Sequence, residues 1–129
     1  MSRYLSPAWL DELTNAVAEL GVVHEGPPGS VEVRVPDSPD GLLVWHVQLV
    51  PGEPPRYGAG PLADAASSYD QTWADATAQL RGNYQPVVGF MQGTLKVKGA
   101  TRPLYEIFRL WASPQHAEAW SRLAATAEV

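Results

Sequence analysis

Gly82-Asn83-Tyr84-Gln85-Pro86-Val87-Val88-Gly89-Phe90-Met91-Gln92-Gly93-Thr94-Leu95-Lys96-Val97-Lys98-Gly99 is the stretch that decides how this chain is read. Gly82 ends whatever helix precedes it, because glycine takes the left-handed conformation of a C-terminal cap without penalty. Pro86 fits the first turn of a short helix over Pro86 to Gln92. After Gly93, Leu95 and Val97 alternate with Lys96 and Lys98, the period of a strand with one wet face. Phe90 and Met91 end the short helix between glycines, where little regular structure holds them. Methionine adapts to irregular contents, so this pair is expected to line a cavity.

Upstream, Thr72 and Asp75 approximate a capping box for a helix to about Arg81, with Trp73, Ala76 and Leu80 as its apolar stripe. Before it come four expected strands. Val31, Val33 and Val35 alternate with Glu32 and Arg34. Leu42 to Val50 is apolar on both alternating faces, with Leu43, Trp45, Val47 and Leu49 on one and Leu42, Val44 and His46 among those on the other. This predicts a central strand covered on two sides. Arg56 to Gly60 and Ala65 to Gln71 complete the set. An opening helix starts at Ser6-Pro7 and carries Leu10, Leu13, Val17 and Leu20 at helical spacing. Downstream, Leu104, Ile107, Phe108 and Trp111 mark an amphipathic helix after Pro103. Ser113-Pro114 opens a last one with Ala117, Trp120, Leu123, Ala124 and Ala127. Strands mostly before helices predict an α+β fold, a five-stranded, mostly antiparallel sheet with helices on one face.

The 129 residues suit one domain over 1–129, large enough for a real core. The net charge of −5 argues against nucleic-acid binding. The charge is uneven: residues 1–70 carry ten acids and three bases, residues 71–129 four acids and six bases. Attraction to an anionic surface would therefore come from Lys96, Lys98, Arg102 and Arg109. With no cysteine there is no disulfide, thiol nucleophile or cysteine-held metal. The N-terminal residues lack a signal peptide's apolar run, no stretch reaches the roughly 20 apolar residues of a membrane span, and Ala127-Glu128-Val129 is no peroxisomal address. The expected location is the cytoplasm.

Catalytic provision is thin. His24, His46 and His116 are far apart with no metal-ligand spacing, no nucleophile elbow occurs, and the glycines of Gly58-Ala59-Gly60-Pro61 lack the residues of a phosphate loop. No metal and no cofactor is expected. Apolar provision is rich: Trp9, Trp45, Trp73, Trp111 and Trp120 in so short a chain bring bulk and five indole N–H groups.

The chain resembles the sterol carrier protein 2 family, small domains that hold a lipid in an apolar tunnel, and in particular its actinobacterial members. The likeness rests on Ser6-Pro7-Ala8-Trp9-Leu10, on Phe90-Met91-Gln92-Gly93, and on Lys96-Val97-Lys98-Gly99. The family often has aspartate after the last glycine. Ala100 stands there, and Thr101 is expected to cap the following helix instead. The resemblance implies a five-stranded sheet roofed by helices with a tunnel between. Trp45, Val47 and Leu49 would form the floor, Val87, Phe90 and Met91 a wall, and Leu104, Phe108 and Trp111 the helical side. Trp73 would add to the lining, and the last helix with Trp120 and Leu123 would be a gate. It further implies a non-catalytic monomer or weak homodimer that carries a fatty acid, acyl-CoA or sterol-like lipid and touches membranes transiently. Two alternatives stand beside it: a structural or regulatory module with a filled pocket that dimerises or docks on a partner, and an enzyme using His46.

Overall fold

The computed structural model describes residues 2–129. Along the chain run α1 (Pro7–Glu19), β1 (Gly29–Ser38), β2 (Gly41–Leu49), β3 (Arg56–Ala59) and β4 (Ser67–Asp70). Then come α2 (Trp73–Leu80), α3 (Pro86–Gln92), β5 (Lys96–Gly99), α4 (Arg102–Trp111) and α5 (Pro114–Ala124). The strands form one sheet in the order β3-β2-β1-β4-β5. Three neighbouring pairs are antiparallel and β1 with β4 is parallel, so the sheet is mixed and the architecture is α+β.

Strand alternation sorts the two faces. Val31, Val33 and Val35 of β1, Trp45, Val47 and Leu49 of β2, Tyr57 of β3 and Tyr69 of β4 are buried together with the helices. Glu32, Arg34, Val44, His46 and Gln48 look the other way and are only half-buried. The expectation that β2 is covered on two sides is therefore corrected. Val44 and the aliphatic part of its neighbours make that face look apolar in sequence, but single apolar residues on a wet face are ordinary.

Both sheet edges are managed. At β3, the Tyr57 amide donates to Thr14 Oγ1 of α1 at 3.0 Å, so a helix side chain takes a group that would otherwise invite a foreign strand. At the other edge, β5 is four residues long and carries exposed Lys96 and Lys98, which also discourages pairing.

The chain ends lie side by side. The Tyr4 amide donates to the Glu128 carbonyl at 2.7 Å, and the Glu128 amide to the Ser2 carbonyl at 3.0 Å. Tyr4 is also buried among Trp9, Trp73 and Trp120, and its hydroxyl donates to the Ala76 carbonyl at 2.8 Å. Trp9 and Trp120 meet edge to face at 5.1 Å, which seats α5 on α1. No helix is long and apolar enough to cross a membrane among the described residues.

Helix starts follow the sequence except at α4. Ser6, Thr72 and Ser113 each accept an amide from their own first turn. Thr101 occupies the cap position of α4 but makes no side-chain cap bond; its backbone is already helical, which turns the hydroxyl away from the free amides.

Gly93 and Gly99 both have left-handed backbones, at φ 75° and 85°. A side chain at Gly93 meets open space, whereas one at Gly99 would strike the Ala66 carbonyl where β5 approaches β4. Gly93→Ala should therefore cost about 1 kcal/mol of folding stability, from conformation alone. Gly99→Ala should cost about 2–3 kcal/mol, from conformation plus collision. Urea midpoints of the two variants check the order.

Candidate functional site

The cleft is built by the C-terminal end of α2, the α2–α3 connection, the start of α3, and the facing sides of α4 and α5. It has a volume of about 540 Å³ and no strand residue lines it. Leu80 and Phe108 are buried in its floor, Pro86 and Val87 form one side, and Trp111 and Trp120 bring two indole faces. Ala112, Ala117, Ala124 and Ala125 keep the opposite side open because alanine leaves room. Arg81 is the one formally charged side chain on the lining. It caps α2, is exposed, and forms no ion pair among the described residues.

Beneath the cleft a polar joint ties the sheet to both C-terminal helices. The Trp111 indole N–H donates to Tyr57 Oη at 2.7 Å, and Tyr57 Oη lies 2.6 Å from His116 Nε2. An indole can only donate, so the tyrosine oxygen must accept from Trp111. The oxygen could accept a second bond, but His116 Nε2 is the one acceptor beside the hydroxyl's own proton, so both atoms are satisfied when Nε2 is unprotonated and the imidazole proton is on Nδ1. Burial fits this, since His116 is 1% exposed and its pKa is pushed down to about 4. The position of His116 in the first turn of α5, where the helix dipole is positive, acts in the same direction. Burial likewise raises the Tyr57 hydroxyl well above its ordinary value, against a smaller lowering by the Trp111 bond, so it stays protonated.

Two lining residues, Gln79 and Tyr84, each carry a further polar atom, that of Tyr84 set against Gly89, off the lining. Gln79 Oε1 and Tyr84 Oη are buried without a partner within the chain. The Gln79 backbone is engaged, because its carbonyl accepts the Trp120 indole N–H at 3.2 Å.

No protein-family model and no curated protein matches the sequence. Solved structures do match. A crystal structure of sterol carrier protein 2 superposes with a TM-score of 0.58 at 18% identity, covering 98% of this chain and 100% of that one. Palmitated SCP2L2 from Aedes aegypti gives 0.63 at 16% identity, over 88% and 96% of the two chains. A conserved hypothetical protein from Thermus thermophilus gives 0.60 at 16% identity, over 92% and 85%. The fold is that of sterol carrier protein 2.

Within this sterol carrier protein 2 fold, the expected lining residues divide. Val87, Phe108, Trp111 and Trp120 are on the cleft. Trp45, Val47, Leu49 and Leu104 are not; they are buried under it, Trp45 stacked on Trp111 at 6.1 Å between ring centres. The space directly above the sheet, where a tunnel floor was expected, is occupied by these side chains, and the opening lies one layer further out, among helices. Trp73 sits at the start of α2 against Tyr4, outside the cleft. Phe90 packs between Tyr105 and Phe108 at 5.5 and 5.9 Å, and Met91 is 79% exposed. Val87 and Met91 are four apart and lie on the same side of α3, but the lining reaches α3 only as far as Val87, and Met91 stands one turn further on near the helix's C-terminal end.

The apolar stripe of α5 is also set differently from the expected one. His116 and Ala119 are buried while Ala117 is exposed. The signal was present in the sequence: the Ser113-Pro114 cap fixes helical phase, and His116, Ala119 and Leu123 then share one face. Tyr57 follows from alternation in the same way. His46 lies outside the cleft, its Nδ1 2.9 Å from the Gly60 carbonyl on the outer sheet face. The four expected cations do not share a face. Lys96 and Lys98 project from the outer face of β5, and Arg102 and Arg109 from α4, where Arg109 pairs with Glu106 at 2.7 Å.

His116 gives the site a pH signature. Its pKa is lower folded than unfolded, so its contribution to stability is full above about pH 6.5. That contribution is lost as pH falls towards 4, because the unfolded chain takes up a proton that the folded protein refuses. The loss should approach about 3 kcal/mol. Urea unfolding at steps across this range should show it in the native protein and not in His116→Gln. Equal slopes in both would refute the buried neutral imidazole.

Proposed function

We propose that the protein binds an amphiphilic lipid-like molecule in the cleft between α2, α3, α4 and α5, without catalysing its conversion. The observation that carries this is the cleft itself. Its volume of about 540 Å³ lies in the usual range for small-molecule sites, and its walls are largely apolar with a few inward polar groups. The fold supports the reading, since one structure that it resembles is described as palmitated. The resemblance to actinobacterial members of the family, carried by Ser6-Pro7-Ala8-Trp9-Leu10, supports it from a different part of the chain.

A fatty acid, acyl-CoA or sterol-like lipid would place its apolar part against Leu80, Val87, Phe108, Trp111 and Trp120. Arg81 would meet an anionic head at the rim, and Gln79 Oε1 would meet a hydroxyl further in. Each methylene removed from water contributes roughly 0.8 kcal/mol, and a chain of about 16 carbons offsets association costs by enough for micromolar binding or better. Selectivity would follow shape more than polar contacts. A transient membrane contact would supply the ligand, and a monomer or weak homodimer in the cytoplasm suits such a carrier.

The absence of turnover is part of the proposal. The lining holds no carboxylate to act as acid or base. Tyr57 keeps its proton, and its bond to His116 occupies the imidazole nitrogen that a general base would need. The filled layer between sheet and helices also suits a second reading, a docking module without a ligand.

Titration with a fluorescent fatty acid separates the two. Trp111 and Trp120 should transfer energy to the bound probe along a saturable curve. Ala117→Phe, which fills the exposed side of the cleft, should weaken binding by about tenfold or more. No saturable signal, alongside a responsive control carrier, would favour the docking module.

A further inference from the structure

Gln79 stands in the last turn of α2, is 8% exposed, and lines the cleft. Its backbone carbonyl takes the Trp120 indole N–H, which holds α2 against α5 at this point. Its side-chain oxygen has no partner within the chain. Such atoms are uncommon in native interiors, because each has given up its hydration for nothing. The other unpaired side-chain oxygen of a lining residue among those described, Tyr84 Oη, is set against Gly89, off the lining. Gln79 Oε1 is therefore the unpaired side-chain acceptor left for a guest.

We propose that Gln79 selects, among the lipids this cleft takes, a fatty acid that carries a hydroxyl close to its carboxylate. This deepens the lipid-binding reading and rests on it. Arg81 follows two residues later at the rim, exposed and without an ion pair among the described residues, and gives the carboxylate its partner. Two residues of helix rise only about 3 Å, so the cation and the inner oxygen address neighbouring stretches of one guest. The hydroxyl then falls on one of the first few carbons, and the rest of the chain runs on against Leu80, Phe108 and Trp111.

The chemistry of the selected group follows from the amide. A hydroxyl both donates and accepts. It meets Oε1, and it meets Nε2 equally well if the amide turns over. A second carboxylate can only accept, and it would set a charge against an apolar wall. An ammonium can donate, but the lining holds no carboxylate to balance it. A plain methylene leaves the oxygen unpaired. Chains of equal length have nearly the same shape, so this one contact is what tells them apart.

The test is displacement of a bound fluorescent fatty acid from the full chain by three competitors of equal length. These are hexadecanoic acid and its forms hydroxylated at the third carbon or at the terminal carbon. The acid hydroxylated at the third carbon should compete about tenfold better than the plain acid. The terminal hydroxyl should bring no gain. Gln79→Met, which keeps an unbranched side chain and helix propensity, should make the plain acid and the third-carbon hydroxy acid equal. Arg81→Gln should weaken all three and leave the preference in place. Equal competition on the native protein, an equal gain from the terminal hydroxyl, or a preference that survives Gln79→Met overturns the proposal. If Gln79→Met shows no cooperative urea transition, the order of the three acids on the native protein decides alone. Absence of saturable probe binding would remove the cleft reading and this inference with it. Saturable binding without discrimination would remove only the role of Gln79.

Discussion

The hydrogen-bonded contact of Trp111, Tyr57 and His116 is where sheet and roof are joined, and the position of the cleft depends on it. Tyr57 rises from β3, Trp111 comes down from α4, and His116 enters from the first turn of α5. A buried hydroxyl with two partners has no slack: each group must stay in place or leave a polar atom unpaired. Trp45 stacks beneath the same indole and fills the space that would otherwise open over the sheet. With α4 and α5 pinned there, the room that remains lies between them and the α2–α3 connection.

This arrangement separates two jobs within one chain. The inner layer, from Val31 and Trp45 to Leu104 and Ile107, is packed and supplies stability. The outer layer is held by fewer contacts, with alanines along α5 and a short α3, and leaves room for a guest. A carrier needs both, since a cavity within the main core would cost stability in proportion to its volume. Placing the opening beside Arg81, among helix ends, keeps that cost away from the sheet.

Much of the architecture was legible because its signals are local. Ser6-Pro7, Thr72 and Ser113-Pro114 mark helix starts, and alternation in β1 and β5 gives their wet faces. The site was only partly legible. Periodicity says which residues share a face but not how far that face lies from its neighbour. Trp45, Val47 and Leu49 do point at the helices, yet the bulk of Trp45 and Trp111 fills the gap between them. Met91 looked like a lining residue because of its chemistry, but it lies one turn past Val87, where the cleft has ended, and is exposed. The burial of Tyr57 and His116 follows from alternation and helical phase, but their partnership joins residues 59 positions apart, which no local pattern encodes.

The account stands on the proton arrangement at His116. Two-dimensional ¹⁵N–¹H NMR of the imidazole at neutral pH reads it directly. A neutral ring with the proton on Nδ1 and an unprotonated Nε2 is the predicted state, unchanged until the solution is acidified to near pH 4. A ring titrating near 6.5 as a solvated histidine does would contradict the buried joint and the cleft geometry built on it, and a neutral ring with its proton on Nε2 would reverse the direction of the bond to Tyr57.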